Sequence, residues 1–115
     1  MLMNMRCLKA YVYAAAVDMR KGHNGLCALV LNEMKLDVMN GSLFFFVSRS
    51  RKSAKVLLWD GTGLVVIHKR LERGRFASFK DFSDVMELTT AELSLLLDGT
   101  KITLPLVPKE FRLTL

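Results

Sequence analysis

The sequence predicts an α+β fold: an antiparallel β-meander packed against one long helix, with a short C-terminal helix. Three observations carry that expectation. Residues 42–48, 54–60 and 64–70 are three seven-residue runs rich in Val, Leu, Ile and Phe, joined by short turns. Residues 19–35 carry apolar side chains at spacings of three and four. Thr89 and Glu92 stand in the S/T-x-x-E spacing that opens a helix.

Taken in order, residues 10–17 (AYVYAAAV) are apolar and short enough for a strand, and Asp18 after them is a good helix N-cap. The helix expected from Met19 to about Lys35 sets Met19, His23, Leu26, Leu29, Val30 and Met34 on one side, with Glu33 at its margin. Gly22 and Gly25 each weaken it by about 1 kcal/mol relative to Ala, through fraying or to admit another backbone. Asn40-Gly41 is a turn, and Ser42–Ser48 is a strand buried on both faces. The basic turn Arg49-Ser-Arg-Lys-Ser53 leads into 54–60, and Asp60-Gly-Thr-Gly63 leads into 64–70. In this meander Lys55 and Lys69 are expected to face one way, and Leu26, Val30, Leu43, Phe45, Val56, Leu58, Val65 and Ile67 to be buried. Val85–Leu88 adds a short strand, and Gly99 stops the second helix.

With 51% apolar and 24% charged residues, the 115-residue chain has room for one domain. The division expected is a 1–9 N-terminal extension, a 10–100 domain and a 101–115 extended tail in which Pro105 and Pro108 exclude a regular helix. Even the longest uncharged runs, such as Val38 to Ser48, are shorter than the ~20 residues a membrane-spanning helix needs. Arg6 and Lys9 before Ala10–Val17 imitate a secretory signal, but the apolar core is short and broken by two tyrosines. A cytoplasmic protein with Cys7 and Cys27 as free thiols is expected.

Catalysis requires convergent ionisable groups, and only His23 and His68 are on offer. His23 and Cys27 form a helical i, i+4 pair without two further zinc ligands, so core packing is their expected role. Asp18, Asp60 and Glu72 have simpler roles as cap, turn residue and charge partner than as metal ligands. There is no phosphate-cradling glycine motif, and nothing calls for a cofactor.

The strongest functional signal is charge. Lys and Arg number 17 against 11 Asp and Glu, a net charge of +6, which favours an anionic partner. Arg49, Arg51, Lys52, Lys55, Lys69, Arg70, Arg73 and Arg75 fall within 27 residues, whereas 81–98 carries five acids and no base. In an up-down-up meander the turn after the first strand and the end of the third lie together, so one sheet end gathers these cations. Arg20 and Lys21 extend the set. The alternative is a solvated, charged loop region.

Asp18-Met-Arg-Lys-Gly22 with Gly25-Leu26, then Trp59-Asp-Gly-Thr-Gly63, then Lys69-Arg-Leu-Glu-Arg-Gly-Arg-Phe76, and late Leu88–Gly99 together resemble one family. It is the TnpB-type accessory protein encoded by the second reading frame of bacterial insertion sequences of the sixty-six family. The resemblance covers about residues 10–100 and departs at Arg49–Ser53, where family members often carry a Gly-containing basic turn. It implies a protein assisting transposition beside an element-encoded transposase that holds the nuclease chemistry. Two functions follow as expectations: an accessory factor contacting DNA phosphates through the basic sheet end, or an adaptor docking on the transposase through the acidic 81–98 region and exposed Phe76, Phe79 and Phe82. The oligomeric state is left open.

Overall fold

The computed structural model describes residues 9–79 and 85–99. Five strands, β1 (Ala10–Tyr13), β2 (Leu43–Val47), β3 (Ser53–Trp59), β4 (Leu64–Arg70) and β5 (Val85–Leu88), form one sheet in the order β4-β3-β2-β1-β5. The meander β2-β3-β4 is antiparallel as expected, with Phe45 opposite Val56 and Val56 opposite Ile67. The sheet as a whole is mixed, because β1 lies parallel to β2 and antiparallel to β5. β2 has two sides of backbone donors and acceptors to satisfy, β3 takes one, and the apolar AYVY segment takes the other. The strand expected over 10–17 stops at Tyr13, yet Val17 N–H still reaches Val47 O at 2.9 Å.

Three consecutive phenylalanines make β2 apolar on both faces, so both must be covered. On one face Phe44, Phe46 and Leu57 pack with Val17, Leu26, Val30 and Met34. Tyr11 stacks on Phe44 with ring centroids 5.8 Å apart, and Tyr13 tilts against Phe46 at 6.2 Å. On the other face Phe45, Val56 and Leu58 pack with Phe76, Phe79, Leu88, Leu93 and Leu96. The Phe45 and Phe76 rings meet edge-on at 6.0 Å. Truncating Phe45, which is fully buried, to Ala would cost about 3–5 kcal/mol.

The one long helix expected over 19–35 is a short one. α1 (His23–Ala28) is six residues and runs into a five-residue π-helical turn, Leu29–Glu33. Residues 18–21 form a separate turn, in which Asp18 Oδ1 accepts from Arg20 N–H and Lys21 N–H donates to Asp18 O. Asp18 therefore organises that turn, and the helix N-cap is Gly22, with no side-chain cap. At the far end Lys35 is left-handed at φ 58°, and Leu36 N–H returns to Val30 O. Among the described residues nothing lies within 4 Å of a Cβ placed at Gly22, and a Cβ at Gly25 would meet the Lys21 side chain. His23, expected in the core, is exposed because the helix begins there, at the rim of the packed face.

α2 (Thr90–Leu97) has the expected reciprocal capping box: Thr89 Oγ1 accepts from Glu92 N–H at 3.1 Å and Thr89 N–H donates to Glu92 Oε1 at 2.8 Å. Of the expected core, Leu26, Val30, Phe45, Val56 and Leu58 are buried, Leu43 and Val65 are half-buried, and Ile67 is 40% exposed. Ile67 departs because β4 is an edge strand. The expectation for Lys55 and Lys69 is also overturned: Lys55 pairs with His68 and Lys69 with Ala54, so the two lysines lie on opposite faces. Among the described residues no helix is long and apolar enough to cross a membrane. Residues 1–8 with Cys7, residues 80–84 with Phe82, and the 101–115 tail lie outside the described residues.

Candidate functional site

Serines fold the turn between β2 and β3. Ser48 Oγ accepts from Ser53 N–H and lies 3.2 Å from Ser50 Oγ, which accepts from Lys52 N–H at 3.3 Å. Arg51 takes the left-handed position at φ 62°, where glycine would be unstrained. Its backbone oxygen accepts from Phe76 N–H at 2.7 Å, and its Nη1 donates to Phe76 O at 3.3 Å. Leu71 N–H donates to Lys52 O at 2.8 Å. These bonds tie the 48–52 turn to the segment after β4, so the basic residues expected at one sheet end do meet there.

The structure sorts the ten expected contact residues. Arg49, Lys52, Arg70, Arg73 and Arg75 are exposed and make no ion pair among the described residues. Arg51 is half-buried and serves the turn. Lys69 lies 3.9 Å from Asp98 at the end of α2. That contact brings one acid of the 81–98 region to the basic end, while Glu87 lies 3.9 Å from Lys9.

Lys55 departs furthest from expectation. It is 8% exposed, and its Nζ donates to Met19 O and Lys21 O, both at 2.8 Å. It is bound within the protein because its pairing with Phe46 and His68 turns it toward the face that the 18–22 turn crosses. Arg20 forms a fork with Asp18, with Nη2 2.6 Å from Oδ2 and Nε 3.0 Å away. That hydrogen bonding holds the Asp18 carboxyl down at about 2. Lys21 has an exposed side chain on the same turn.

Beside the basic end is a cleft of about 390 Å³, lined by Ala14, Ala15, Ala16, Ser48, Arg49, Arg51 and Ser78. The sequence reading missed this feature, whose one local signal is the run of three alanines that leaves room beside Val47. The loop-borne aromatics Phe76 and Phe79, expected to be exposed, are 1% and 3% exposed because they cover the second face of the sheet. Asp60 acts as the expected turn residue, its Oδ1 accepting from Thr62 N–H, Thr62 Oγ1 and Gly63 N–H at 2.9–3.0 Å. Those bonds, led by the Thr62 amide, hold its carboxyl below the usual range. Burial pushes the Cys27 thiol up. No group of three His, Cys, Asp or Glu side chains among the described residues is placed to hold a metal.

Residues 8–106 match the family model described as IS66 Orf2 like protein. Two proteins of Sinorhizobium fredii are similar to the chain. One, the uncharacterized protein y4hO, is 34% identical over 99 residues, covering 86% of each chain. The other, the uncharacterized protein y4jC, is 33% identical over 94 residues, covering 82% of this chain and 80% of its own. No solved structure matches. With 99 of 115 residues inside one family model and two relatives at this identity, the chain belongs to the IS66 Orf2-like family.

Proposed function

We propose that this chain is a non-catalytic accessory protein of DNA transposition that holds DNA phosphates at the basic end of its sheet, alongside an element-encoded transposase. An accessory role in transposition goes with its family. The observation that carries the finer reading is the juxtaposition of Arg49 and Lys52 with Arg70, Arg73 and Arg75. All five are exposed, and none is neutralised by an acid among the described residues. Uncommitted guanidinium and ammonium groups at one end of a rigid sheet suit phosphate contact, which fixes position without reading bases.

The test is fluorescence anisotropy of duplex DNA, of element-end and of random sequence, across a salt series. Each phosphate contact contributes ~0.9 to the slope of log affinity against log salt. Replacing Arg49, Lys52, Arg70 and Arg73 by Gln should therefore lower the slope by about 3 to 4 and weaken both DNAs alike. Arg51 is left in place because it holds the turn. A well-folded quadruple variant with an unchanged slope, or a parent that binds no DNA at low salt, overturns the reading.

The adaptor reading finds support in a different place from the one expected. Leu31 and Met39 are 66% and 59% exposed beside an apolar cleft of about 630 Å³, also lined by Cys27, Leu36 and Val38. An apolar surface of this kind suits a protein partner. If the DNA reading fails, docking on the transposase becomes the better account.

A further inference from the structure

We propose that β4 is a self-pairing edge, through which two copies of this chain join their sheets antiparallel about Ile67. β4 closes one side of the sheet, and an edge strand carries backbone donors and acceptors that a further strand satisfies. Which residues carry them follows from the ladder. The hydrogen bonds from Asp60 N–H to Gly63 O and from Leu71 N–H to Lys52 O each lie one pair beyond the β3-β4 register. In an antiparallel ladder every second pair exchanges hydrogen bonds. Val65, Ile67 and Lys69 therefore turn their backbone groups toward β3, and Leu64, Val66, His68 and Arg70 turn theirs outward.

A two-fold axis at Ile67 uses all four outward residues, with Val66 bonded to His68 of the second copy and Leu64 to Arg70. Axes at Val66 or His68 leave some without partners within the strand. In the Ile67 register each basic side chain of one copy lies across from an apolar one of the other: Lys69 from Val65, Arg70 from Leu64. Like charges are kept apart, and the two basic sheet ends point in opposite directions. The repulsion that a chain of net charge +6 brings to self-association is thus eased while all four outward residues stay paired. The 40% exposure of Ile67 is explained as well, since the two Ile67 side chains become a cross-strand pair on the axis. β5, the opposite edge, has four residues against seven in β4 and offers a shorter ladder.

The experiment combines sedimentation of the full chain with self-crosslinking. On a Cys7→Ala, Cys27→Ala background, Ile67→Cys places one thiol on the axis in a non-hydrogen-bonded pair, where Cα atoms lie about 4.5 Å apart and a disulfide fits. Val65→Cys is the control. Its two copies are four residues out of register, about 13 Å along the strand, beyond the roughly 7 Å that a disulfide spans. Expected are a parent particle of twice the 13.0 kDa chain mass, oxidised dimer several-fold more abundant for Ile67→Cys than for Val65→Cys, and a monomer for Ile67→Lys with unchanged circular dichroism. A monomeric parent without crosslinking overturns the proposal, as occupation of this edge by another segment of the same chain would produce. Equal crosslinking at 65 and 67, or a dimer that Ile67→Lys leaves intact, overturns it too.

Discussion

Lys55 separates a structural cation from a ligand-binding one, and Lys55→Met tests the distinction. Its ammonium makes two 2.8 Å hydrogen bonds, to Met19 O and Lys21 O, and so ties β3 to the 18–22 turn. Hydrogen bonds to a charged group each contribute about 1.5–3 kcal/mol, and two would total about 3–6. The turn is largely exposed, so its carbonyls recover water when the lysine is removed, and Met fills the space of the aliphatic stem. The expected loss is therefore about 2–4 kcal/mol. With a urea m-value of about 1–3 kcal/mol/M, that loss moves the midpoint by about 0.7–4 M, easily read by circular dichroism. The salt slope of DNA binding should stay as in the parent, because Lys55 Nζ is committed inside the protein. An unchanged urea midpoint together with a slope lowered by ~0.9 would refute this reasoning and return Lys55 to the phosphate-contacting set.

Thr89→Ala removes the side-chain half of the α2 cap, the Oγ1 acceptor for Glu92 N–H, and should cost about 1 kcal/mol by urea denaturation; an unchanged midpoint would mean that water replaces this acceptor. Lys35→Gly relieves a left-handed non-glycine residue and should stabilise by about 0.5–1 kcal/mol, after the entropy that glycine adds to the unfolded chain; a loss would show the Lys35 side chain contributes more than its strain costs. Asp18 is depressed from its usual 3.8 to about 2, so its contribution is present at neutral pH and is lost as pH falls from about 3.8 through 2. Asp18→Asn should flatten that part of the pH-stability curve, which urea titrations at pH 5 and pH 2 would detect. Cys27 should react slowly with thiol reagents at neutral pH in the folded chain, since burial disfavours its thiolate, and rapidly once unfolded; equal rates would place it in solvent.

Local chemistry alone determined a good part of this protein. Strand-forming runs bounded by Asn40-Gly41, Arg49–Ser53 and Asp60–Gly63 specify the meander, and the capping box specifies the start of α2. Connectivity then places the basic turn beside the end of β4, because a three-strand meander has no other way to dispose its ends. The patterns that carry the family resemblance were legible as well, and each has a visible structural role: Asp18 folds the turn before α1, Asp60 folds its hairpin, Phe76 covers the sheet and Thr89 with Glu92 caps α2.

What remained was decided by packing. The free side of β2 accepts whichever segment reaches it, and nothing within residues 10–17 announces that they will lie parallel to β2 and between it and β5. Three adjacent phenylalanines require two covered faces, but only the folded chain shows that Phe76 and Phe79 supply part of the second. Strand parity, set by the pairing of Lys55 with His68, turns one lysine of a basic cluster into an internal clamp while its neighbours stay in water. Ile67 is as apolar as Val56 opposite it, yet it is left open because β4 is the last strand of the sheet. Residue type sets what a side chain gains by burial, and the order of strands sets whether a neighbour is there to bury it.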